Sequence, residues 1–177
     1  MKVRPTEPAD FEAIADIYGH WVKSSVATFE LEPPDAAEVS RRFATVTGLG
    51  LPYLSAVSDD TVLGYAYCGP WKSRPGYRHT VEDSVYVSAD AVGQGVGSAL
   101  LDELMVACAQ AGIRRMIAMV VDSDGQGSLA LHRGRGFTDA GRLNSVGYKH
   151  GMWLDTILLQ RDLSDLSACM PAMESVG

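Results

Sequence analysis

Between Ser84 and Leu101 an apolar strand runs into three alternating glycines, Gly93, Gly95 and Gly97, and then into an amphipathic helix. A strand, a bare backbone turn and a helix start together form an anion cradle. Glycines let backbone approach a ligand, unpaired N–H groups face it, and the helix dipole favours its negative charge. The same pattern also serves as a plain tight strand-to-helix connection. A dinucleotide-binding βαβ unit fits poorly. That arrangement puts the glycines near the start of the unit, with an acidic ribose ligand ending the next strand. Here they lie mid-chain behind three strands that read as antiparallel, and the next strand ends Val120-Val121-Asp122. No Gly-Lys-Ser/Thr follows, so a Walker loop is excluded, and a diphosphate gripped by amides is the reading that remains.

The chain around this turn is 177 residues, the size of one domain with one core. A net charge of −7 argues against general nucleic-acid binding but leaves room for a small anion held by local amides. Cys68, Cys108 and Cys169 have neither metal nor disulfide spacing, which points to no metal site and a reducing cytoplasm. No apolar run is long enough to span a membrane, and the polar start Met1–Glu7 does not read as a signal peptide.

Periodicity predicts a strand at Lys2–Arg4 and a helix carrying Phe11, Ile14, Ile17, Tyr18, Trp21 and Val22. A polar loop, or a short extended piece around Ala27-Thr28-Phe29, follows over Ser24–Glu32, and a second helix opens at Pro33-Pro34-Asp35 and runs to about Thr47. Strands are expected at Tyr53–Val57, Val62–Cys68 and His79–Val87, the first two joined by a turn at Ser58-Asp59-Asp60. Helix Gly95–Ala111 ends at Gly112; Met116–Val121 reads as a strand buried on both faces. A short helix at Ser128–Arg135 and an antiparallel pair, Phe137–Val146 and Trp153–Arg161, complete the domain at residue 163; residues 164–177 read as a frayed tail. This order implies a mixed central sheet with helices on its faces.

Glu82 is out of place in a valine-rich strand unless it is paired or faces a cavity. Alternation sets Glu82, Ser84 and Tyr86 on one face and Val81, Val85 and Val87 on the other, so Glu82 points away from the main apolar layer. The readings are a carboxylate on a solvated face or paired with Arg78, or a general base that strips a proton from an ammonium substrate. The loop Trp71–Arg78 is basic and aromatic in an acidic protein. It is either a solvated loop or, through Lys72, Ser73 and Arg74 with Lys149 added from the last hairpin, a site for a carboxylate or phosphinate. Phe29, Tyr86 and Trp153 are candidates for site or core, and core is the better reading for Trp153.

Several motifs carry a resemblance. Val92-Gly93-Gln94-Gly95-Val96-Gly97 with Ala99-Leu100-Leu101 resembles the acetyl-CoA loop of the GCN5-related N-acetyltransferase (GNAT) superfamily, and Ser128–His132 with Gly136-Phe137 resembles its second signature. Gly64–Tyr67, Gly69–Lys72, Thr80–Val87 and Gly147–Asp155 resemble its phosphinothricin and methionine sulfoximine N-acetyltransferase branch, over about Val3–Leu163. The resemblance implies an α/β (α+β) GNAT fold, a mixed, mostly antiparallel sheet of about seven strands flanked by about four helices. It implies acetyl-CoA as co-substrate, with pantetheine along a splayed strand edge at Val85, Tyr86 and Val87 and diphosphate on the amides of Gly93, Gln94, Gly95, Val96, Gly97 and Ser98. It implies Glu82 as base and a small amino-acid-like amine as substrate, bound near Lys72–Arg74 and Glu82, Asp83 and Ser84. His132 stands where relatives carry an acid for the departing thiolate, against the ordinary reading of a structural histidine. A homodimer is also implied. Two positions depart from the pattern: Val92 replaces a usual Gln or Arg, and Gly125 a usual Asn, for which Asp124 or Gln126 are the nearby substitutes. Acetylation of another amine, a peptide N-terminus or a polyamine, and a CoA-sensing module without turnover are the competing functions.

Overall fold

A computed structural model describes residues 1–123 and 127–167, with the side chain of Ser167 left aside. The elements are β1 (Lys2–Pro5), α1 (Phe11–Ser24), α2 (Ala36–Gly48), β2 (Tyr53–Ser58), β3 (Thr61–Pro70) and β4 (Thr80–Val87). They continue with α3 (Val96–Gln110), β5 (Arg115–Val121), α4 (Gly127–Arg133), β6 (Thr138–Lys149), β7 (Met152–Asp162) and α5 (Ser164–Ser167). The strands form one sheet in the order β1-β2-β3-β4-β5-β7-β6. Only β4 and β5 pair in parallel; every other neighbour is antiparallel.

The sequence Gly64-Tyr65-Ala66-Tyr67-Cys68 in β3 explains the two layers. Side chains alternate across a strand, so Gly64, Ala66 and Cys68 give one face small residues, and α3 lies close against it. A Cβ on Gly64 would come within 2.7 Å of the Tyr86 carbonyl oxygen and 3.2 Å of Leu100 Cδ1. Leu100, Leu101, Leu104 and Cys108 of α3 are fully buried there. The other face carries Tyr65 and Tyr67, stacked with Tyr53 and covered by α1 and α2 through Tyr18 and Phe43. Asp35 caps α2 by accepting the Glu38 N–H at 2.8 Å.

Three expectations change. Met119 in β5 is exposed, because β5 parts from β4 before reaching it. The last hairpin is longer than its hydrophobic pattern: β6 and β7 continue to a two-residue turn at His150 and Gly151, both at positive φ. Trp153 is therefore carried out beyond the core, 67% exposed and against Tyr148 alone among the described aromatic rings. The chain after Leu163 does not fray at once. Ser164–Ser167 form a helical turn, Leu163 is fully buried and Leu166 packs on the core. Residues 168–177 lie outside the described residues, as do Asp124, Gly125 and Gln126.

Candidate active site

The sheet opens at its centre. β4 and β5 pair at Thr80–Arg115, Val81–Met116 and Glu82–Ile117, and no further. Past Glu82 the two strands diverge, and β4 keeps a partner only on its β3 side, through Val87. The ladder fixes which backbone groups face the opening. Ser88 N–H donates to the Leu63 carbonyl at 2.8 Å. Alternation then turns Tyr86 and Ser84 toward β3, and the N–H and C=O of Val85 and Val87 toward the gap. Trp21 from α1 takes one of these groups: its indole N–H donates to the Val87 carbonyl at 2.8 Å. The Val85 groups remain as an unpaired strand edge, the arrangement that accepts an extended amide-bearing chain.

The glycine turn lies at the same end of the sheet. Gly93 and Gly95 sit at φ of 80° and 82°, with no atom within 4 Å of a built Cβ, so backbone conformation rather than crowding demands glycine there. Gly97 has ordinary φ; a Cβ there would meet Leu131 Cδ2 at 3.4 Å and Val87 Cγ2 at 3.5 Å, so its role is close packing. The first bond of α3 runs from Ala99 N–H to the Gly95 carbonyl, which leaves the N–H groups of Val96, Gly97 and Ser98 without helical partners. Gln94 turns back on itself, its amide donating to the Asp90 carbonyl at 2.8 Å. Val92 is exposed beside it. Unpartnered N–H groups at the head of a 15-residue helix, next to an open strand edge, fit the diphosphate and the two amides of a CoA thioester.

Glu82 lies where the strands part. It points away from α3 and onto a second layer, the tyrosines under α1 and α2, rather than to solvent. It is half-buried and makes no hydrogen bond or ion pair with any described residue, Arg78 included. Burial, then the charge of Asp83, push its carboxyl above the usual carboxylate range; Lys72 pulls against them. Ser84 and Tyr86 share its face, and the Tyr86 ring meets Tyr18 edge-on at 4.8 Å.

Asp83 faces the opposite way, toward α3 and α4. The structure thus separates it from Glu82 and Ser84, with which the sequence groups it. Asp83 and His132 are both buried, and His132 Nε2 lies 2.9 Å from Asp83 Oδ2. His132 Nδ1 lies 2.7 Å from the Ser128 carbonyl oxygen. Burial pulls the imidazole's pKa down, but the hydrogen bond and charge of Asp83 outweigh it and hold it above the ordinary histidine value.

Lys72, Ser73, Arg74 and Tyr77 line an exposed hollow, with Lys72 Nζ 4.7 Å over the Trp71 ring. Lys149 does not join them. It is 2% exposed and donates to the Thr28 carbonyl at 2.7 Å, pinning the loop between α1 and α2. Burial lowers its pKa. The same loop presses Phe29 onto Gly147, where a Cβ would sit 2.1 Å from the ring. Thr28 also binds the Tyr18 hydroxyl at 2.6 Å. In the sequence Tyr18 and Trp21 mark only a helix face, and Thr28 only a loop or short extended piece. The periodicity of α1 marks its buried side but not which of those side chains reach β4. No group of metal-binding side chains occurs among the described residues.

A parallel strand pair that splits beside a bare helix start can hold a phosphate-bearing, amide-bearing ligand by backbone rather than by side chains. The chain belongs to the acetyltransferase (GNAT) family, whose profile matches residues 14–137. A phosphinothricin N-acetyltransferase from Alcaligenes faecalis is 47% identical over 169 residues, covering 96% of this chain and 86% of that protein. A methionine sulfoximine and methionine sulfone acetyltransferase from Pseudomonas aeruginosa is 38% identical over 163 residues, covering 91% and 94%. The crystal structure of a phosphinothricin acetyltransferase from Sinorhizobium meliloti in complex with acetyl-CoA superposes with a TM-score of 0.89. It is 42% identical and covers 98% of this chain and 94% of that one.

Proposed function

We propose that the protein transfers an acetyl group from acetyl-CoA to the primary amine of a small amino acid, of the phosphinothricin, methionine sulfoximine or methionine sulfone type. The observation that carries the reading is the parting of β4 from β5 at Glu82–Ile117, beside the free N–H groups of α3. The names and similarity of the relatives support the substrate class. Acetyl-CoA supplies an activated acyl group when bound. The Val85 edge orients it, and Gly93–Ser98 hold its diphosphate. Glu82 accepts the ammonium proton, so that a neutral amine faces the gap; a pKa raised by burial makes it a better base near neutral pH. The gap-side N–H of Val85 is the donor for charge that develops on the acyl oxygen. Lys72 and Arg74 offer cations to an anionic side chain or carboxylate.

The described helices include none long and apolar enough to cross a membrane. We assign the protein to the cytoplasm on its three scattered cysteines, whose spacing gives neither a disulfide framework nor a metal site. A homodimer accounts for the exposed apolar set Leu143, Val146, Tyr148, Met152 and Trp153 on the last hairpin. Thiol release from acetyl-CoA, measured across a panel of amines, tests the assignment. Turnover on sulfoximine, sulfone or phosphinate amino acids well above that on polyamines or peptide N-termini is expected. Equal turnover on all classes overturns the substrate; no turnover on any amine favours a CoA sensor.

A further inference from the structure

The proposed chemistry gives the Asp83–His132 pair no task, although both residues are buried beside the split. Asp83 is the first β4 residue beyond the pairing with β5. His132 belongs to α4, which follows β5 in the chain. The 2.9 Å contact between them therefore spans from β4 to α4 where the sheet itself no longer holds the two sides together. The neighbouring Leu131 packs beside Gly97 at the head of α3. Moving α4 would thus disturb the turn that carries the diphosphate.

The ring's nearest partners favour its charged state. Nδ1 faces the Ser128 carbonyl oxygen at 2.7 Å, with the Ser128 hydroxyl farther off at 3.4 Å, and Nε2 faces a carboxylate oxygen. A neutral imidazole has one N–H, and the two closest atoms are both acceptors, which favours imidazolium. With both N–H groups spent inside the protein, neither is aimed at a departing thiolate. Asp83 Oδ1 is buried with no hydrogen-bond partner among the described residues, so among them the carboxylate's one anchor is His132. A buried ion pair of this kind is weak evidence for stability alone.

We propose that Asp83 is a positioning residue that acts through His132: the pair is a charged strut tying α4 to β4, and it sets the width of the gap in which the thioester arm lies. In this account His132 is not the acid for the thiolate. Among the described residues the groups that face the imidazole are Asp83 from β4, the Ser128 carbonyl and hydroxyl, the Phe137 ring edge, and Arg135 just beyond α4, which opposes protonation. Behind Asp83 are the thiols of Cys68 on β3 and Cys108 on α3. The functional half rests on acetyl-CoA occupying the gap.

The test combines NMR titration of His132, identified by its absence in H132Q, with CoA binding and steady-state kinetics of wild type, D83N, H132Q and the double variant. The titration needs no ligand, and the His132 signal can also be assigned through the wild-type backbone, so it does not depend on H132Q folding. His132 is expected to titrate above the ordinary histidine value in the wild type and at lower pH in D83N. D83N and H132Q are each expected to weaken CoA binding and raise the KM for acetyl-CoA several-fold. The double variant should be no worse than the weaker single, and the amine KM should barely move. An alkaline decline in kcat/KM for acetyl-CoA should shift to lower pH in D83N. A wild-type His132 that titrates at or below the ordinary histidine value overturns the strut, even if CoA binds. So does a loss of kcat in H132Q that D83N does not share, which restores the acid. Wild-type protein that fails to bind CoA overturns the acetyl-CoA reading itself, and with it the functional half, whatever the titration shows.

Discussion

The indole N–H of Trp21 is hydrogen-bonded to the carbonyl of Val87 at 2.8 Å, which ties α1 to the open edge of β4. The bond satisfies a carbonyl that β5 would otherwise have paired. Trp21→Phe keeps an aromatic ring and removes the donor, leaving a part-buried acceptor. The expected loss is about 1 kcal/mol, read as a lower urea midpoint with unchanged slope.

Glu82→Gln removes the base and keeps the shape. A fall in kcat of about 10²- to 10⁴-fold is expected, with CoA affinity unchanged by calorimetry. Turnover equal to the wild type would remove Glu82 from the reaction.

The pH profile gives a signed prediction. A base works only when deprotonated, so activity declines as pH falls through the Glu82 pKa, which burial and Asp83 hold above the usual carboxylate range. Lys72 opposes that rise. Lys72→Met should therefore move the acid limb of kcat/KM to higher pH and raise the amine KM. An acid limb that moves down, or stays, contradicts the electrostatic link between them.

The glycines of the turn should not respond alike. Alanine at Gly95, φ 82°, forces a side chain into the left-handed region at a cost of about 1–2 kcal/mol and should weaken CoA binding. Alanine at Gly97 meets Leu131 and Val87 at ordinary contact distance and should be milder in both readouts. Thermal unfolding and CoA titration of the two variants check the order.

Asp10 predicts acid sensitivity. It is buried and accepts from Arg4 at 2.7 and 2.9 Å and from the Glu7 N–H. Burial raises its pKa, but these bonds and the Arg4 charge together bring the net value below the usual one. Its contribution is thus present above the unfolded-state carboxyl pKa and is lost as pH falls through the lowered folded-state value. Asp10→Asn should cost about 1.5–3 kcal/mol at pH 7 and reduce the loss of stability between neutral and acid pH.

Much of this architecture could be read from residue order. The alternation in Gly64–Cys68 and Thr80–Val87 marks strands and assigns faces, and the glycines with Ala99-Leu100-Leu101 mark the turn and helix. What remained hidden depends on contacts across long sequence separations. Lys149 looks like a surface cation beside the basic loop, yet it meets Thr28 in the interior. Asp83 looks like a neighbour of Glu82 in function, yet one step along a strand reverses the face, and His132 awaits it there. Trp153 has the composition of core, but the two-residue turn at His150–Gly151 carries it outward. No local pattern encodes where a strand loses its partner, so the gap itself entered the sequence reading only through the family resemblance.

The most direct test is an amide NMR titration of the protein with acetyl-CoA. The largest shifts should fall on the N–H groups of Val85, Val87 and Gly95–Ser98, with smaller changes at Glu82 and Leu131. Shifts concentrated on the β6–β7 hairpin or the Lys72–Tyr77 hollow, or no saturable shifts at all, would contradict an acyl carrier seated between β4 and β5.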